Sequence, residues 1–299
     1  MNLHYPHQLI FLTRGAHREE TMNRRQFIKQ GGIAAGAALL SGAHGLAATE
    51  RNRSLQVWSC GGLAEAFIPA NAHFEKNTGT SIAYTGAFAG ALGKSLLANA
   101  QTEIFAPRVL GLSKKLKAQG KMVFFEPLCF TEYVVATPRG NPANITGIED
   151  MGKPGVKTIL SPDASPPGGQ ATMIIMKKAG VAGMVEKNAV TIGDCVQTTT
   201  TDLVKGKGDA AVIEKRITML PQFKDHLDVI PIPEKFIPPV PVPFTIGMMK
   251  WAKNETLAKA YIDFILSEEG QAFFEAAGFI PARSDEGRRL IQKYGVRDA

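Results

Sequence analysis

Short apolar runs alternate with stretches of helical periodicity from residue 55 onward. The run 55–59 is short and rich in apolar residues, which predicts a strand, and the turn at 60–62 follows it. Apolar residues then recur every three to four positions over 63–78, which predicts a helix that ends at Gly79. Pro69 lies inside this helix and is expected to bend it.

The same alternation continues to the end of the chain. Further strands are predicted at 81–85, 122–125, 133–137, 156–160, 189–192, 210–213, 227–230 and 244–249. Further helices are predicted after the turn at 86–90 and at 112–119, 170–178, 199–205, 255–266 and 268–277. Strands that alternate with helices at this spacing favour an α/β fold with parallel sheets and right-handed crossovers.

Two similar α/β halves indicate two lobes. The segment 231–243 contains six prolines, so it is predicted to be an extended connection. We expect residues 48–137 and part of the C-terminal region to form lobe 1, and residues 138–240 to form lobe 2. A return strand and the C-terminal helices would follow over 241–299, so that the chain crosses between the lobes more than once.

The first 47 residues have the pattern of a leader. Arg24 and Arg25 precede a Gly/Ala-rich apolar run, and the small residues at 45–47 resemble a cleavage site. Adjacent arginines followed by Phe27 resemble a twin-arginine export signal, and Met22 is placed where such a leader would begin. The predicted location is therefore periplasmic or otherwise extracytoplasmic.

Charge and composition exclude several classes of function. The chain has 299 residues, a net charge of +7 and only three cysteines, too few for a disulfide-dense scaffold. Without residues 1–47 there remain 29 basic and 25 acidic residues, a net charge of +4 with no basic cluster. Nucleic-acid binding is therefore not expected. Neither a Gly-x-Ser-x-Gly nor a His-Glu-x-x-His motif occurs, so a hydrolase has no support.

Three small-residue turns follow predicted strands and precede predicted helices, at 59–62, 86–90 and 165–170. In open parallel sheets, ligands bind outside the carboxyl ends of the strands. The free N–H groups of helix N-termini there attract anions, and glycine lets the backbone approach closely. A single turn of this kind is better interpreted as an ordinary loop between a strand and a helix. The three turns together indicate a binding site for a small ligand.

The C-terminal region carries the most specific pattern. A Phe-Ile-Leu-Ser run at 264–267 is followed by Glu-Gly-Gln at 269–271, Phe274 and Gly-Phe-Ile-Pro at 278–281. This pattern resembles the solute-binding proteins of ABC importers, in the molybdate-binding branch. The resemblance implies an α/β fold of two doubly wound lobes with a small ligand in the cleft between them. It also implies importer membrane subunits as partners, no catalysis and no cofactor, and we expect a monomer.

The resemblance and the turns together define the candidate ligand-binding residues. They are Ser59, Cys60, Gly61, Gly62, Phe88, Ala89, Gly90, Ser165, Gly168, Gly169, Gln170, Gln197, Glu214 and Lys215. The leading ligand is a molybdate-like oxyanion. Glu214 or Lys215 falls near the position where the family often has a cleft tyrosine, and a buried glutamate there would repel an oxyanion and attract a cation.

The three cysteines provide an alternative ligand. Cys60 lies in the first turn, Cys129 precedes a strand expected near the lobe junction, and Cys195 follows the strand at 189–192. If all three approach the cleft, their thiolates would suit a soft transition-metal ion. Two other interpretations stay open: isolated buried thiols, or one disulfide and a free cysteine.

Overall fold

A computed structural model of the protein describes residues 53–164 and 166–298. The predicted leader therefore lies outside the described residues, and so does the candidate ligand residue Ser165. Among the residues described, no helix is both long enough and apolar enough to cross a bilayer.

A sheet of six strands forms the centre of lobe 1. Its strands are β1 (Ser54–Cys60), β2 (Ser81–Ala87), β3 (Ile104–Ala106), β4 (Met122–Phe130), β10 (Pro243–Met249) and β11 (Ile280–Pro281). They lie in the order β11-β4-β10-β3-β1-β2. β1 pairs in parallel with β2 and β3, whereas β10 is antiparallel to β3 and β4. The parallel strands therefore end at a common edge.

Lobe 2 contains the remaining strands, β5 (Tyr133–Pro138), β6 (Thr158–Leu160), β7 (Ala189–Ile192), β8 (Ala211–Glu214) and β9 (Leu227–Pro231). β5 lies between β8 and β9 and is antiparallel to both, while β6 and β7 are parallel. A single parallel bridge between Thr158 and Ala210 connects the two groups. The strand order in lobe 2 is thus β7-β6-β8-β5-β9. It has the same arrangement as the strands β2-β1-β3-β10-β4 of lobe 1.

Helices connect and cover these strands. Lobe 1 and the C-terminal region contain α1 (Ala64–Thr78), α2 (Ala89–Ala98), α3 (Leu110–Ala118), α8 (Glu255–Leu266), α9 (Glu268–Ala276) and α10 (Asp285–Tyr294). Lobe 2 contains α4 (Gly168–Lys178), α5 (Ala182–Lys187), α6 (Val196–Val204) and α7 (Lys215–Thr218). The helix α1 begins one residue later than predicted and ends at Gly79, whose left-handed backbone (φ 68°) suits glycine.

The chain passes from sheet to sheet twice. The first passage is Thr131–Glu132, between β4 and β5, and the second covers residues 232–242, between β9 and β10. The backbone N–H of Thr131 donates to the carbonyl of Val242 at 3.0 Å, so the two passages lie side by side. The lobe boundaries expected from the sequence, at 137/138 and 240/241, stay predictions. In the structure, the chain leaves one sheet for the other at 131–132 and at 232–242.

Each lobe has an apolar core, and that of lobe 2 extends to Phe130 of β4 and to the C-terminal region. In lobe 1, Val57, Ile104 and Ile246 of the sheet pack with Phe67 of α1 and Tyr261 of α8. In lobe 2, side chains of β5, β8 and α4 share a core with residues of α10 and the chain end, including Leu290 and Val296. The two-lobed, doubly wound α/β fold predicted from the sequence is confirmed.

Several elements are missing from the prediction. They are β3, α5, α7, β11 and α10. All but α10 are six residues or shorter, so periodicity has too few positions to register. Other elements were predicted short: β4 extends to Phe130, because its second half is buried between β10 and β11.

Candidate functional site

The carboxyl ends of parallel strands from both lobes face one another across the cleft. From lobe 1 come the turn after β1 and the segment after β3; from lobe 2 come the start of α4 and the end of β8. A Cβ atom placed on Gly168 would lie 2.6 Å from Oε1 of Glu214, and one on Gly62 would lie 3.2 Å from the guanidinium of Arg216. Glycine at both positions is therefore needed for the observed approach of backbone to charged side chains.

A buried ion-pair network occupies this cleft. Arg108 of lobe 1 donates from Nη2 to Oε1 of Glu214 of lobe 2, so the pair joins the lobes. The same nitrogen donates to the hydroxyl of Tyr133 at 3.0 Å, and Nε donates to the carbonyl of Pro241 at 3.3 Å. The second oxygen of Glu214 accepts from Nε of Arg216 at 2.5 Å.

The three charged side chains are almost fully removed from water. Arg108 is 2% exposed, and Glu214 and Arg216 are 6% exposed. These groups together carry a charge of +1 at neutral pH. Half-buried Glu65 approaches Arg216 from the edge, with 3.7 Å between its Oε1 and Nη1 of the arginine.

The arginines determine the ionisation of Glu214. Burial alone would raise the pKa of this carboxyl, but the charges and hydrogen bonds of Arg108 and Arg216 outweigh burial and lower the pKa to about 2. The carboxylate in turn raises the pKa of Arg108 against the opposing effect of burial. All three groups are therefore charged at neutral pH.

The lobes are in contact at the network. Arg108 of lobe 1 bonds directly to Glu214 of lobe 2, so the structure is a closed form. On the lobe 2 side, a void of about 20 Å³ lies next to Gly168, Val196, Glu214 and Arg216. This volume accommodates roughly one water molecule, so a larger ligand enters only if the lobes separate.

The structure places the predicted candidate residues in three groups. Gly62, Gly168 and Glu214 meet in the network, and Cys60 lies close enough to Arg108 for their charges to interact. Gly61 lies against the backbone of Ala87, at the end of β2. The remaining described candidates are not part of the network: Ser59, Phe88, Ala89, Gly90, Gly169, Gln170, Gln197 and Lys215.

Physical reasons account for the candidates outside the network. Ser59 is fully buried, and its hydroxyl hydrogen-bonds to that of Tyr84 at 2.6 Å. Lys215 turns to the first passage and pairs with Glu132 at 2.8 Å. Gln170 and Gln197 are exposed near the starts of α4 and α6, and Phe88, 61% exposed, precedes α2. They stay predicted ligand residues.

The alternative metal site made of three cysteines is wrong. Cys60 and Cys129 belong to the apolar core of lobe 1, where burial raises the pKa of both thiols. Cys195 is exposed in lobe 2, before α6. Within residues 53–164 and 166–298, no three His, Cys, Asp or Glu side chains are placed to share a metal ion, and the three cysteines are free thiols.

Arg108 and Tyr133 are absent from the sequence-based candidates. Arg108 follows the three-residue strand β3 by two positions, and a charged residue directly after a buried strand is a usable signal. It was missed because β3 is too short to predict. Tyr133 is the first residue of β5, and the sequence predicts it only as part of a strand and not as a residue of the site.

The sequence and the fold have clear relatives. Residues 55–280 match the model of a family described as bacterial extracellular solute-binding proteins. The chain belongs to this family. The protein is therefore a binding protein that works with an ABC importer, and not an enzyme, and the family's location implies that it acts outside the cytoplasm. No curated protein matches the chain in sequence.

Solved structures share the fold of this solute-binding protein at low identity. A substrate-binding domain assigned to a molybdenum ABC transporter of Clostridium difficile has a TM-score of 0.67 and 19% identity, and the match covers 76% of this chain and 98% of that one. The periplasmic molybdate-binding protein of Azotobacter vinelandii has a TM-score of 0.60 and 15% identity, with the same coverage. Iron-bound HitA of Pseudomonas aeruginosa has a TM-score of 0.59 and 16% identity, over 78% of this chain and 87% of its own.

A larger cavity of about 580 Å³ lies elsewhere, next to the two passages and α10. Of the network residues it contacts only Tyr133. The solute-binding protein brings Arg108, Glu214 and Arg216 together, all buried, in the cleft at the carboxyl ends of the strands. The cleft is therefore the better candidate for the solute site despite its smaller volume.

Proposed function

We propose that the protein captures a small tetrahedral oxyanion between its lobes and delivers it to the membrane subunits of an ABC importer. The observation that carries the proposal is the pair of buried guanidinium groups, Arg108 from lobe 1 and Arg216 from lobe 2. Molybdate is the candidate that the terminal sequence pattern and the named fold relatives favour.

The two buried arginines support an anion over a cation. With Glu214 they carry a charge of +1, which half-buried Glu65 offsets from the edge of the network. Arginine nevertheless binds oxyanions directly, through its fixed fork of N–H donors. A metal ion would have to displace a guanidinium from Glu214. Iron, as in HitA, therefore fits the described cleft less well than an oxyanion.

Closure of the lobes would complete the proposed site. Gly62 of lobe 1 and Gly168 of lobe 2 bring backbone to the guanidinium groups, and Gln170 and Gln197 are exposed near the starts of α4 and α6. Since Arg108 and Glu214 already join the lobes, the ligand enters an open form and the network reforms around it. The two passages, at 131–132 and 232–242, are the proposed hinge.

The test is thermal unfolding of the purified protein without its leader, with and without millimolar molybdate, tungstate, sulfate or phosphate. A bound anion stabilises the fold by RT ln(1 + [L]/Kd), about 2.7 kcal/mol at one hundred times Kd, and raises Tm. Arg108→Met should reduce the ligand-induced shift. Arg288→Met, which removes a largely exposed arginine paired with Asp285, should leave it unchanged.

The ligand-induced shift is measured against each variant's own ligand-free Tm, so a loss of stability in Arg108→Met does not obscure the result. If none of the four anions raises the Tm of the wild type, the proposed function is wrong. If Fe³⁺ or Zn²⁺ alone raises it, a cation is the ligand.

We also propose the twin-arginine route of export and a monomeric state. Arg24 and Arg25 with the following Phe27 support the first, and lobes with separate cores that need no second copy support the second.

A further inference from the structure

Glu214 is an unusual residue for an anion-binding cleft. Its side chain is 6% exposed, and its carboxylate bonds across the lobes to Arg108. It also lines a small void on the lobe 2 side together with Gly168 and Arg216. Because Glu214 lies where the two lobes meet, a ligand bound between the lobes must contact its carboxylate or be repelled by it.

The carboxylate retains capacity for further hydrogen bonds. Oε1 accepts from Arg108 and Oε2 accepts from Arg216. Each carboxylate oxygen has two lone pairs, so each has one acceptor position left. The other ionisable groups around it are Tyr133, opposite in the β5–β8 pair, and Cys60; Glu65 lies beyond Arg216.

These acceptor positions discriminate between anions. A fully ionised oxyanion such as sulfate or molybdate presents only lone pairs, so it meets like charge at Glu214 with no proton to share. An oxyanion that keeps an O–H group donates it to the carboxylate in a short, charge-assisted hydrogen bond, while its other oxygens accept from the arginines.

Building on the proposed function, we infer that the preferred solute is a small oxyanion that carries an O–H donor, with Glu214 as the residue that selects it. Inorganic phosphate at neutral pH is such an anion, since it keeps at least one proton. This assignment moves the expected preference from molybdate to phosphate-like anions.

The test compares five anions with one protein at pH 7 by calorimetric titration. Phosphate and arsenate keep a proton, whereas sulfate, molybdate and tungstate do not. A hydrogen bond to a charged group is worth about 1.5–3 kcal/mol, so phosphate and arsenate should bind roughly ten- to a hundredfold more tightly than the other three. Equal binding of all five, or tighter binding of molybdate, would overturn the inference.

The variant Glu214→Gln removes the charge and keeps the shape. It should bind sulfate and molybdate at least about tenfold more tightly than the wild type does, because the repulsion is gone. The preference for phosphate over sulfate should shrink accordingly. Glu255→Gln is the matched control, since Glu255 is exposed on α8, pairs with Lys259 at 3.7 Å and is absent from the network and the passages; its anion selectivity should equal that of the wild type.

The outcomes separate this inference from the proposed function. If no anion binds the wild type, the proposed function fails. If anions bind with no preference for the protonated ones, only the inference fails. Should Glu214→Gln not fold, the order of the five anions on the wild type decides the matter by itself.

Discussion

At the scale of single residues, the charge of Glu214 depends on two neighbours that are far away in sequence. Arg108 is 106 positions before it, and Arg216 is two positions after it. Burying a lone carboxylate is strongly unfavourable, and removal of one partner from a buried ion pair typically costs about 3–5 kcal/mol. Arg108 and Arg216 are therefore structural partners as well as proposed ligand contacts.

The lowered pKa of Glu214 predicts a dependence of stability on pH. The pKa falls from 4.5 to about 2 on folding, so the unfolded chain binds this proton more readily. The stabilisation is fully present above pH 4.5 and is lost as the pH falls from 4.5 toward about 2. In urea unfolding at a series of pH values, the free energy of unfolding of the wild type should fall more over this window than that of Glu214→Gln.

Other carboxyl groups with lowered pKa values, such as Asp150 and Glu234, titrate in both proteins and cancel in the comparison. Parallel pH profiles for wild type and variant would show that the arginines do not hold Glu214 charged.

At the scale of elements, the C-terminal pattern has a packing explanation. Ser267 caps α9 by accepting from the N–H of Gly270 at 3.1 Å, and Gln271 bonds to the carbonyl of Ile265 and to the N–H of Ala282. These contacts fix the turn between α8 and α9 and attach β11 to it. The C-terminal pattern therefore stabilises the lobe, and at Gly278 it also packs against the network, since a Cβ atom there would lie 3.0 Å from Cα of Arg216.

Gly270 gives an element-scale prediction. A Cβ atom there would lie 2.1 Å from the carbonyl oxygen of Phe264, which is backbone and cannot rotate away. Gly270→Ala should therefore destabilise the protein by about 1–3 kcal/mol or more, measured by urea unfolding.

The matched control is Gly111→Ala in α3, where nothing lies within 4 Å of the added atom. It should be neutral or stabilise by up to about 1 kcal/mol, since alanine has the higher helix propensity. Equal effects at the two positions would contradict the packing explanation.

At the scale of the whole molecule, function requires export followed by capture. Replacing Arg24 and Arg25 with lysine should leave the precursor in the cytoplasm, because a twin-arginine signal depends on both arginines. Immunoblots of cytoplasmic and periplasmic fractions measure this.

The control variant, Arg14→Lys with Arg18→Lys, makes the same change before Met22 and should be exported normally. Normal export of the Arg24/Arg25 variant would exclude the twin-arginine route, and failure of the control would show that residues before Met22 take part.

The sequence alone determined the class of fold and most elements. Most helices of nine or more residues have enough turns for apolar periodicity to show, as α1 and α8 do, although the ten-residue α10 was not predicted. The glycine stops and the terminal pattern are also local, so they are readable without neighbours. Short elements such as β3 and α7 were not predicted, because three or four residues carry no period.

Only the tertiary structure decided the chemistry of the cleft. Arg108, Tyr133 and Glu214 belong to different elements, and their contact depends on how two sheets face each other. The same dependence overturned the cysteine site: Cys60 and Cys129 pack in the core of lobe 1, whereas Cys195 is exposed in lobe 2. The local sequence pattern shows which faces of a helix or strand are apolar. Long-range packing decides which charged side chains are buried together, and therefore which ligand they can bind.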